Sequence, residues 1–358
     1  MDRYQHWIDG RRTAPIAGQY LPTLDPMTTA PWAELARGDA ADVDAAVSAA
    51  QRAFAGWRVA GPTRRAEVIW RLGDLIAEHA DELAALEARD AGKVVREVRG
   101  QMVSLRAWYH YYASLAYQTE GRTIPQDRGS LSVATQRIPY GVVGVIPAFN
   151  SPMLLGGMGL APALAAEVNA LSLLRLGELA QEAGLPDGCL NVVSGYGHEA
   201  GDALVAHPLV RKVWFTGGPE SARYVAARAA ESLKPLVLEL GGKSANIFFD
   251  DVRVDDVLNG VIAGIFAAAG QTCVAGSRLL VHRAVADELV EKVAARARTV
   301  RLGDPTSPET EMGPLSQEKI WSGVRSRVDE AIVDGAELVA GGPDADRPDQ
   351  GWFYAPTV

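Results

Sequence analysis

The sequence predicts an α/β fold with a parallel sheet, on three observations. Short apolar segments alternate with helical segments from residue 141 onward, which is the pattern of strands joined by crossover helices. A second segment of the same kind follows from Ile247. The chain has 358 residues and is 48% hydrophobic, so it can bury a sizeable core and would usually divide into two domains or more.

The first third of the chain is predicted to be helical. Apolar residues recur at helical spacing over 43–54 and over 68–86. Asp42 and Thr63 are predicted helix starts, and Gly92 is a predicted helix stop.

Residues 124–139 are predicted to form an exposed pair of strands. Pro125 and Gly129 punctuate a polar, Ser/Thr-rich run that ends in alternating apolar residues. Exposed strands tend to pair with another chain, so this segment predicts contact with a second subunit.

Strands and helices alternate between residue 141 and residue 240. The predicted strands cover 142–146, 190–193, 210–215 and 236–240, with helices ending near 165, running over roughly 170–183, lying near 200–206 and following 215. The first two helices follow each other almost directly. Parallel sheet order normally requires a strand after each crossover helix, so one strand is predicted to be missing after Ala166.

Composition and charge argue against several classes of partner. The net charge is −9 and the chain has no cluster of Lys and Arg, so neither nucleic acid nor a membrane is expected as a partner. The longest apolar stretch, near 261–270, is too short to span a bilayer, and residues 1–6 lack an apolar secretory core. We therefore expect a cytoplasmic protein.

The two cysteines, Cys189 and Cys273, lie far apart and cannot form a disulfide framework. An isolated cysteine in an α/β core is more often structural than catalytic, and Cys189 is interpreted in that way. Cys273 lies in a turn of small residues, 270–276, which lets a carbonyl group approach the thiol closely. It is therefore a candidate nucleophile, and no metal site is predicted.

Two polar residues at predicted strands are candidates for the same chemistry. Glu239, flanked by Leu238 and Leu240, is either a buried salt-bridge partner or a base whose pKa is raised by burial. Asn150 follows the strand at 142–146 and is either a turn former or an amide that donates to a developing oxyanion.

A loop at 215–222 joins a predicted strand to a predicted helix. Its residues Gly217 and Gly218 allow close backbone approach, and the N-terminus of the following helix attracts phosphate. Taken alone, such a loop is weak evidence for a cofactor site, because an ordinary strand–helix connection can have the same sequence.

Residues 143–152, 238–244 and 270–277 resemble, in the same order, three motifs of the aldehyde dehydrogenase superfamily. The resemblance extends from Trp7 to Val358. The exposed strand pair at 124–139, which has no obvious partner within the chain, leads us to expect a homodimer or a homotetramer. The domains that the resemblance implies are a Rossmann-like parallel-sheet cofactor domain (1–123 and 140–239), an oligomerisation strand pair (124–139) and a second α/β catalytic domain, incomplete here (240–358).

The resemblance implies that the chain oxidises a small-molecule aldehyde to a carboxylate with NAD, or with NADP as the alternative. Cys273 would attack the aldehyde carbon, Asn150 would hold the oxyanion, and Glu239 would activate water against the thioester. If Glu167 binds the ribose as the family's glutamate does, its charge favours NAD. The residues implied for cofactor binding are Ile146, Pro147, Ala148, Phe149, Glu167, Gly217, Gly218, Ser221, Leu240 and Gly241.

The chain departs from the family's pattern in three places. After Ala166 the family has a Gly-Asn opening, a strand and a Lys-Pro-Ser-Glu motif, of which only Glu167 finds a match here. The family's chains continue beyond Val358, and they usually carry a lysine where this chain has Gly159. These departures keep open a catalytically silent binding or structural protein. Related enzymes that use coenzyme A instead of water generally lack the glutamate base, so Glu239 argues against that class.

Overall fold

The computed structural model describes residues 1–164 and 171–358. Strands and helices are numbered in chain order. The strands are β1 Asp2–Tyr4, β2 His6–Ile8, β3 Arg11–Thr13, β4 Tyr20–Leu24, β5 Pro31–Ala36, β6 Thr123–Ile124, β7 Val133–Ala134, β8 Val142–Ile146, β9 Val210–Gly217, β10 Leu236–Leu240, β11 Ala245–Phe248 and β12 Arg278–Val281. The helices are α1 Ala40–Val59, α2 Pro62–Glu78, α3 Ala80–Ala91, α4 Val95–Leu115, α5 Pro152–Leu164, α6 Leu171–Glu182, α7 Asp202–Ala206, α8 Pro219–Ala230, α9 Val254–Phe266, α10 Arg283–Arg298 and α11 Glu318–Val333.

The central sheet is parallel, and its described strands follow the order β10-β9-β8. Ile146 pairs with Phe215, and Leu240 pairs with Gly217, so the three carboxyl ends lie side by side. The predicted bounds of β8 and β10 are confirmed, and β9 extends two residues beyond its predicted end. The predicted α/β fold class with a parallel sheet is therefore confirmed.

Side chains of β8 alternate between two apolar cores, as expected of a parallel strand that is covered on both faces. Val143 and Val145 belong to the larger core, together with Met153 and Leu160 of α5. Val142 belongs to the second core, together with residues of α1, α7 and α8. Full burial of each such side chain contributes about 1.5–3 kcal/mol, so the packing of helices on both faces holds β8 in place.

The predicted helices of the first third are confirmed, although two of their starts lie earlier than predicted. Asp39 caps α1, and the side chain of Asp42 accepts a hydrogen bond from the backbone N–H of Asp39 at 3.2 Å, which completes a capping box. Pro62 opens α2, so Thr63 lies inside its first turn. Gly92 ends α3 with a φ of 74°, the left-handed conformation that favours glycine there.

Two parts of the predicted secondary structure are wrong. Residues 2–36 form the short strands β1–β5, whose three to six residues show too little periodicity to be recognised. Among the described residues, the strand predicted at 190–193 is reduced to an isolated antiparallel bridge between Val192 and Trp7. Val192 forms two backbone hydrogen bonds with Trp7 of β2, of 2.9 and 2.7 Å.

The second α/β segment and the exposed strand pair are confirmed. β11 pairs with β12 in parallel, and α9 and α10 pack around a smaller apolar core. β6 pairs with β7 over two residues each in a mostly exposed stretch. The strand predicted to be missing after Ala166 lies outside the described residues, and the proposed domain bounds stay a prediction.

Candidate active site

Three loops that the sequence singles out meet at the carboxyl end of the central sheet. Asn150 follows β8, and its Nδ2 donates a hydrogen bond to the carbonyl oxygen of Gln271 at 2.7 Å. A Cβ atom placed on Gly242, two residues after β10, would lie 3.3 Å from the carbonyl oxygen of Cys273. The segments of Asn150, Gly242 and Cys273 therefore contact one another.

The turn just before the candidate nucleophile has a left-handed backbone. Positive φ values occur at Ala268 (51°), Ala269 (53°) and Gly270 (73°), and this conformation costs a residue with a Cβ about 1–2 kcal/mol. The carboxylate of Glu97, on α4, accepts a hydrogen bond from the backbone N–H of Ala268 at 3.0 Å. Gln271 donates from Nε2 to the carbonyl oxygen of Ala268, also at 3.0 Å. Strained backbone persists where surrounding contacts over-determine it, and these two side chains provide such contacts.

Cys273 and Glu239 are both exposed. The predicted burial of Glu239 is wrong, because β10 lies at the edge of the described sheet and pairs there with β9 alone. Its neighbours Leu238 and Leu240 are exposed as well. Glu239 pairs with Thr216 near the carboxyl end of β9. Glu239 therefore lies at the same end of the sheet as the loop of Cys273.

A buried polar cluster adjoins Asn150. Lys93 is only 4% exposed, and its Nζ donates hydrogen bonds to Ser151 Oγ at 2.5 Å and to Gln101 Oε1 at 2.7 Å. Ser151 Oγ in turn donates to the carbonyl oxygen of Asn150 at 2.7 Å. Lysine is almost always solvated, so no local pattern in the sequence distinguishes Lys93 from a surface residue.

Burial shifts the pKa values of the two charged residues that support these loops. Desolvation lowers the pKa of Lys93, and the carboxylates of Glu87 and Glu97 oppose that shift. Desolvation raises the pKa of Glu97, and the N–H of Ala268 and the charges of Lys93 and Arg96 oppose that shift. Lys93 and Glu97 therefore each offset part of the other's desolvation.

A cavity of about 670 Å³ opens beside β8, which is a volume typical of ligand sites. Residues of β4, α1 and the segments 191–204 and 316–319 also line it. Four of the predicted cofactor residues line it: Ile146, Pro147, Ala148 and Phe149. Glu167 lies outside the described residues. The other predicted cofactor residues lie at or just beyond the carboxyl ends of β9 and β10, outside the cavity wall: Gly217, Gly218, Ser221, Leu240 and Gly241.

The carboxyl end of β9 offers features that fit a dinucleotide. Thr216 is buried, and its hydroxyl has no hydrogen-bond partner among the described residues. Within the described chain, no atom lies within 4 Å of a Cβ placed on Gly218 or on Gly241, so a ligand can approach both backbones. α8 begins directly after Gly218, and a helix N-terminus attracts phosphate.

Cys189, the other cysteine, is buried in the larger core, which agrees with its structural interpretation. In residues 1–164 and 171–358, no group of three or more His, Cys, Asp or Glu is arranged to hold a metal ion. Over the same part of the chain, no helix is both long and apolar enough to cross a membrane.

Comparisons with known proteins cover nearly the whole chain and its fold. The model of the aldehyde dehydrogenase family matches residues 14–358. Hydroxyisobutyraldehyde dehydrogenase of Mycolicibacterium austroafricanum is 39% identical over 98% of this chain and 71% of the relative. The structure of PnpE, a protein from Pseudomonas sp. WBC-3, in complex with nicotinamide adenine dinucleotide has a TM-score of 0.95 and 39% identity over 99% of this chain and 75% of its own. An NADP-dependent enzyme of E. coli has a TM-score of 0.95 and 32% identity over 99% of this chain and 76% of its own.

Proposed function

Because the chain belongs to the aldehyde dehydrogenase family, we propose that it oxidises an aldehyde to a carboxylate with Cys273 as nucleophile and NAD(P) as hydride acceptor. The observation that carries the proposal is the hydrogen bond from the Asn150 amide to Gln271, next to an exposed thiol. The NAD complex of PnpE and the NADP dependence of the E. coli enzyme support a nicotinamide dinucleotide and leave the choice between the two open.

The first step forms a bond between Cys273 and the substrate. The thiolate sulfur adds to the aldehyde carbon, and the π electrons of the carbonyl group move to its oxygen. A side-chain amide has two N–H donors. One N–H of Asn150 donates to Gln271 at 2.7 Å, and the second donates to the new oxyanion. The bond to Gln271 fixes the plane of the amide, so the second donor is oriented before the substrate arrives.

The cofactor would lie along the carboxyl ends of β8 and β9. The hydroxyl of Thr216 and the open backbones of Gly218 and Gly241 would contact it, together with residues 146–149 in the cavity wall. The first turn of α8 would bind a phosphate group. A bound nicotinamide ring supplies the hydride acceptor, which amino-acid side chains lack.

Hydrolysis completes the reaction. After the loss of hydride, the acyl group remains on Cys273 as a thioester. Glu239 accepts one proton from water, the water oxygen bonds to the acyl carbon, and the carbon–sulfur bond breaks to release the carboxylic acid and the Cys273 thiolate. The acid then loses its remaining proton to solvent and leaves as carboxylate. The exposure of Glu239 supports its access to water. The presence of this carboxylate on β10 also argues against coenzyme A as the acyl acceptor.

Stopped-flow absorbance with a panel of aldehydes tests this proposal. Glu239→Gln should form NAD(P)H in a burst of about one equivalent per active site and then turn over about 100- to 10,000-fold more slowly than the wild type. Cys273→Ala should form none, and Cys189→Ala, which removes the buried thiol, is the matched control and should keep the burst. Unchanged turnover in Glu239→Gln, or any NAD(P)H from Cys273→Ala, contradicts the mechanism. A wild type that oxidises no aldehyde favours the catalytically silent alternative.

A further inference from the structure

Lys93 is buried, charged and linked to the candidate oxyanion donor, yet the proposed mechanism does not use it. Removal of a charged group from water costs free energy unless hydrogen bonds replace its hydration. Gln101 supplies one of those bonds, and Ser151 supplies another. Ser151 then donates to the carbonyl oxygen of Asn150. An unbroken chain of hydrogen bonds therefore runs from the ammonium group of Lys93 to the backbone of Asn150.

The same asparagine is held at its other end. Its side chain donates to Gln271, in the loop of Cys273, whereas its backbone carbonyl accepts from Ser151. Contacts at both ends leave the amide little freedom to rotate. Preorganised donors contribute to oxyanion stabilisation because they need no rearrangement during the reaction, and a displacement of about 1 Å can lower a rate about 100-fold.

We propose that Lys93 is a positioning residue, which acts through Ser151 to orient the Asn150 amide toward the oxyanion formed at Cys273. The inference rests on the proposed function in one respect, the assignment of Asn150 as the oxyanion donor. Lys93 itself touches neither the substrate nor the reacting atoms.

Lys234 provides a matched control, because it is also buried but lies in another part of the fold. It is 8% exposed, and its Nζ donates to the carbonyl oxygen of His207 at 2.8 Å and to that of Val205. These bonds join the segment before β10 to the end of α7 and do not involve the loops of the candidate site. Lys234→Met therefore measures the effect of losing a buried ammonium group without any effect on Asn150.

Trifluoroacetone serves as a probe of the oxyanion that requires no cofactor and no turnover. The thiolate of Cys273 adds to its activated carbonyl carbon, the π electrons move to the oxygen, and a tetrahedral adduct forms that fluorine NMR can quantify. Alkylation by iodoacetamide is the second readout, because it requires the same thiolate but develops no oxyanion. A general collapse of the site would change both readouts, whereas loss of amide orientation changes only the first.

We expect Asn150→Ala to weaken the adduct about 100- to 1,000-fold. Lys93→Met and Ser151→Ala should each weaken it about 10- to 100-fold, with the alkylation rate unchanged. The adduct of the Lys93→Met/Ser151→Ala double variant should be no weaker than the adduct of either single variant, because both substitutions break the same hydrogen-bond chain to Asn150. Lys234→Met should leave adduct formation unchanged.

Three results would overturn the inference. The first is a wild-type adduct in Ser151→Ala, a small change that keeps the test valid if Lys93→Met folds poorly. The second is a loss of adduct in the double variant that equals the two single losses combined. The third is an alkylation rate that falls as much as adduct formation does in the single variants. The two proposals can fail separately. If the wild type forms the adduct but oxidises no aldehyde, only the proposed function is refuted. If it oxidises aldehydes but Lys93→Met leaves the adduct unchanged, only this inference is refuted.

Discussion

Glu97→Met tests whether the left-handed turn before Cys273 depends on one carboxylate. Methionine is close to glutamate in length, but it cannot replace the carboxylate as the acceptor for the backbone N–H of Ala268, which now bonds to Glu97 at 3.0 Å. Ala268 is only 8% exposed, so water has little access to the freed N–H. The substitution therefore leaves a buried donor without its acceptor.

The expected loss of stability follows from two opposing contributions. A buried donor left without a partner costs about 1–3 kcal/mol. Desolvation of the carboxylate, which raises the pKa of Glu97, is relieved in the variant, so we expect a loss of about 1–2 kcal/mol in the free energy of unfolding. The left-handed backbone at Ala268 and Ala269 stores about 1–2 kcal/mol at each residue. Because that strain is comparable to the lost contact, the turn should relax and displace the loop of Cys273.

Urea unfolding followed by tryptophan fluorescence measures the first effect, and the rate of Cys273 alkylation by iodoacetamide measures the second. Glu97→Gln is the sharpest control, because its amide oxygen still accepts from Ala268 and its neutral side chain avoids the desolvation of a charge. It should match or exceed the wild type in stability and keep the alkylation rate. Glu78→Met removes an exposed glutamate paired with Arg71, and it should change stability by less than about 1 kcal/mol. Equal losses of stability in Glu97→Gln and Glu97→Met would refute the reasoning. The turn would then depend on the charge of Glu97 and not on its hydrogen-bond acceptor.

Three further results are expected. Burial raises the pKa of Asp90 from 3.8 to about 6, so the contribution of Asp90 to the free energy of unfolding should fall by about 3 kcal/mol as pH rises through that interval. In urea titrations the stability difference between the wild type and Asp90→Asn should change by this amount, and a constant difference would exclude Asp90 as the cause. Ala268→Gly should raise the free energy of unfolding by about 0.5–1 kcal/mol, because glycine adopts a φ of 51° without strain. Urea unfolding that shows a loss of stability would contradict the assignment of strain to Ala268. The protein should form a homodimer or homotetramer through the exposed β6–β7 pair. Light scattering that gives a monomer at micromolar concentration would exclude this.

Elements whose signal is local could be predicted from the amino-acid sequence. The bounds of β8 and β10 follow from short, mostly apolar runs between turn residues. In β8 the apolar run is continuous because a parallel strand covered on both faces needs apolar residues throughout. Gly92 could be recognised as a helix stop because glycine adopts the left-handed conformation at little cost. Asn150, Glu239 and Cys273 could likewise be proposed from short motifs, since each motif combines a reactive side chain with the small or apolar residues that position it.

Contacts between distant residues became known from the packing of the folded chain. Glu97 and Ala268 are 171 positions apart, and Lys93 and Ser151 are 58 apart, so no local periodicity connects them. The exposure of Glu239 depends on which strands border β10 and not on the apolar residues beside it. Side-chain periodicity records which face of an element is buried, whereas the partner of a buried polar group depends on how whole elements pack. That packing places Lys93, just before α4, against Ser151 and places Glu97 of α4 against the loop of Cys273.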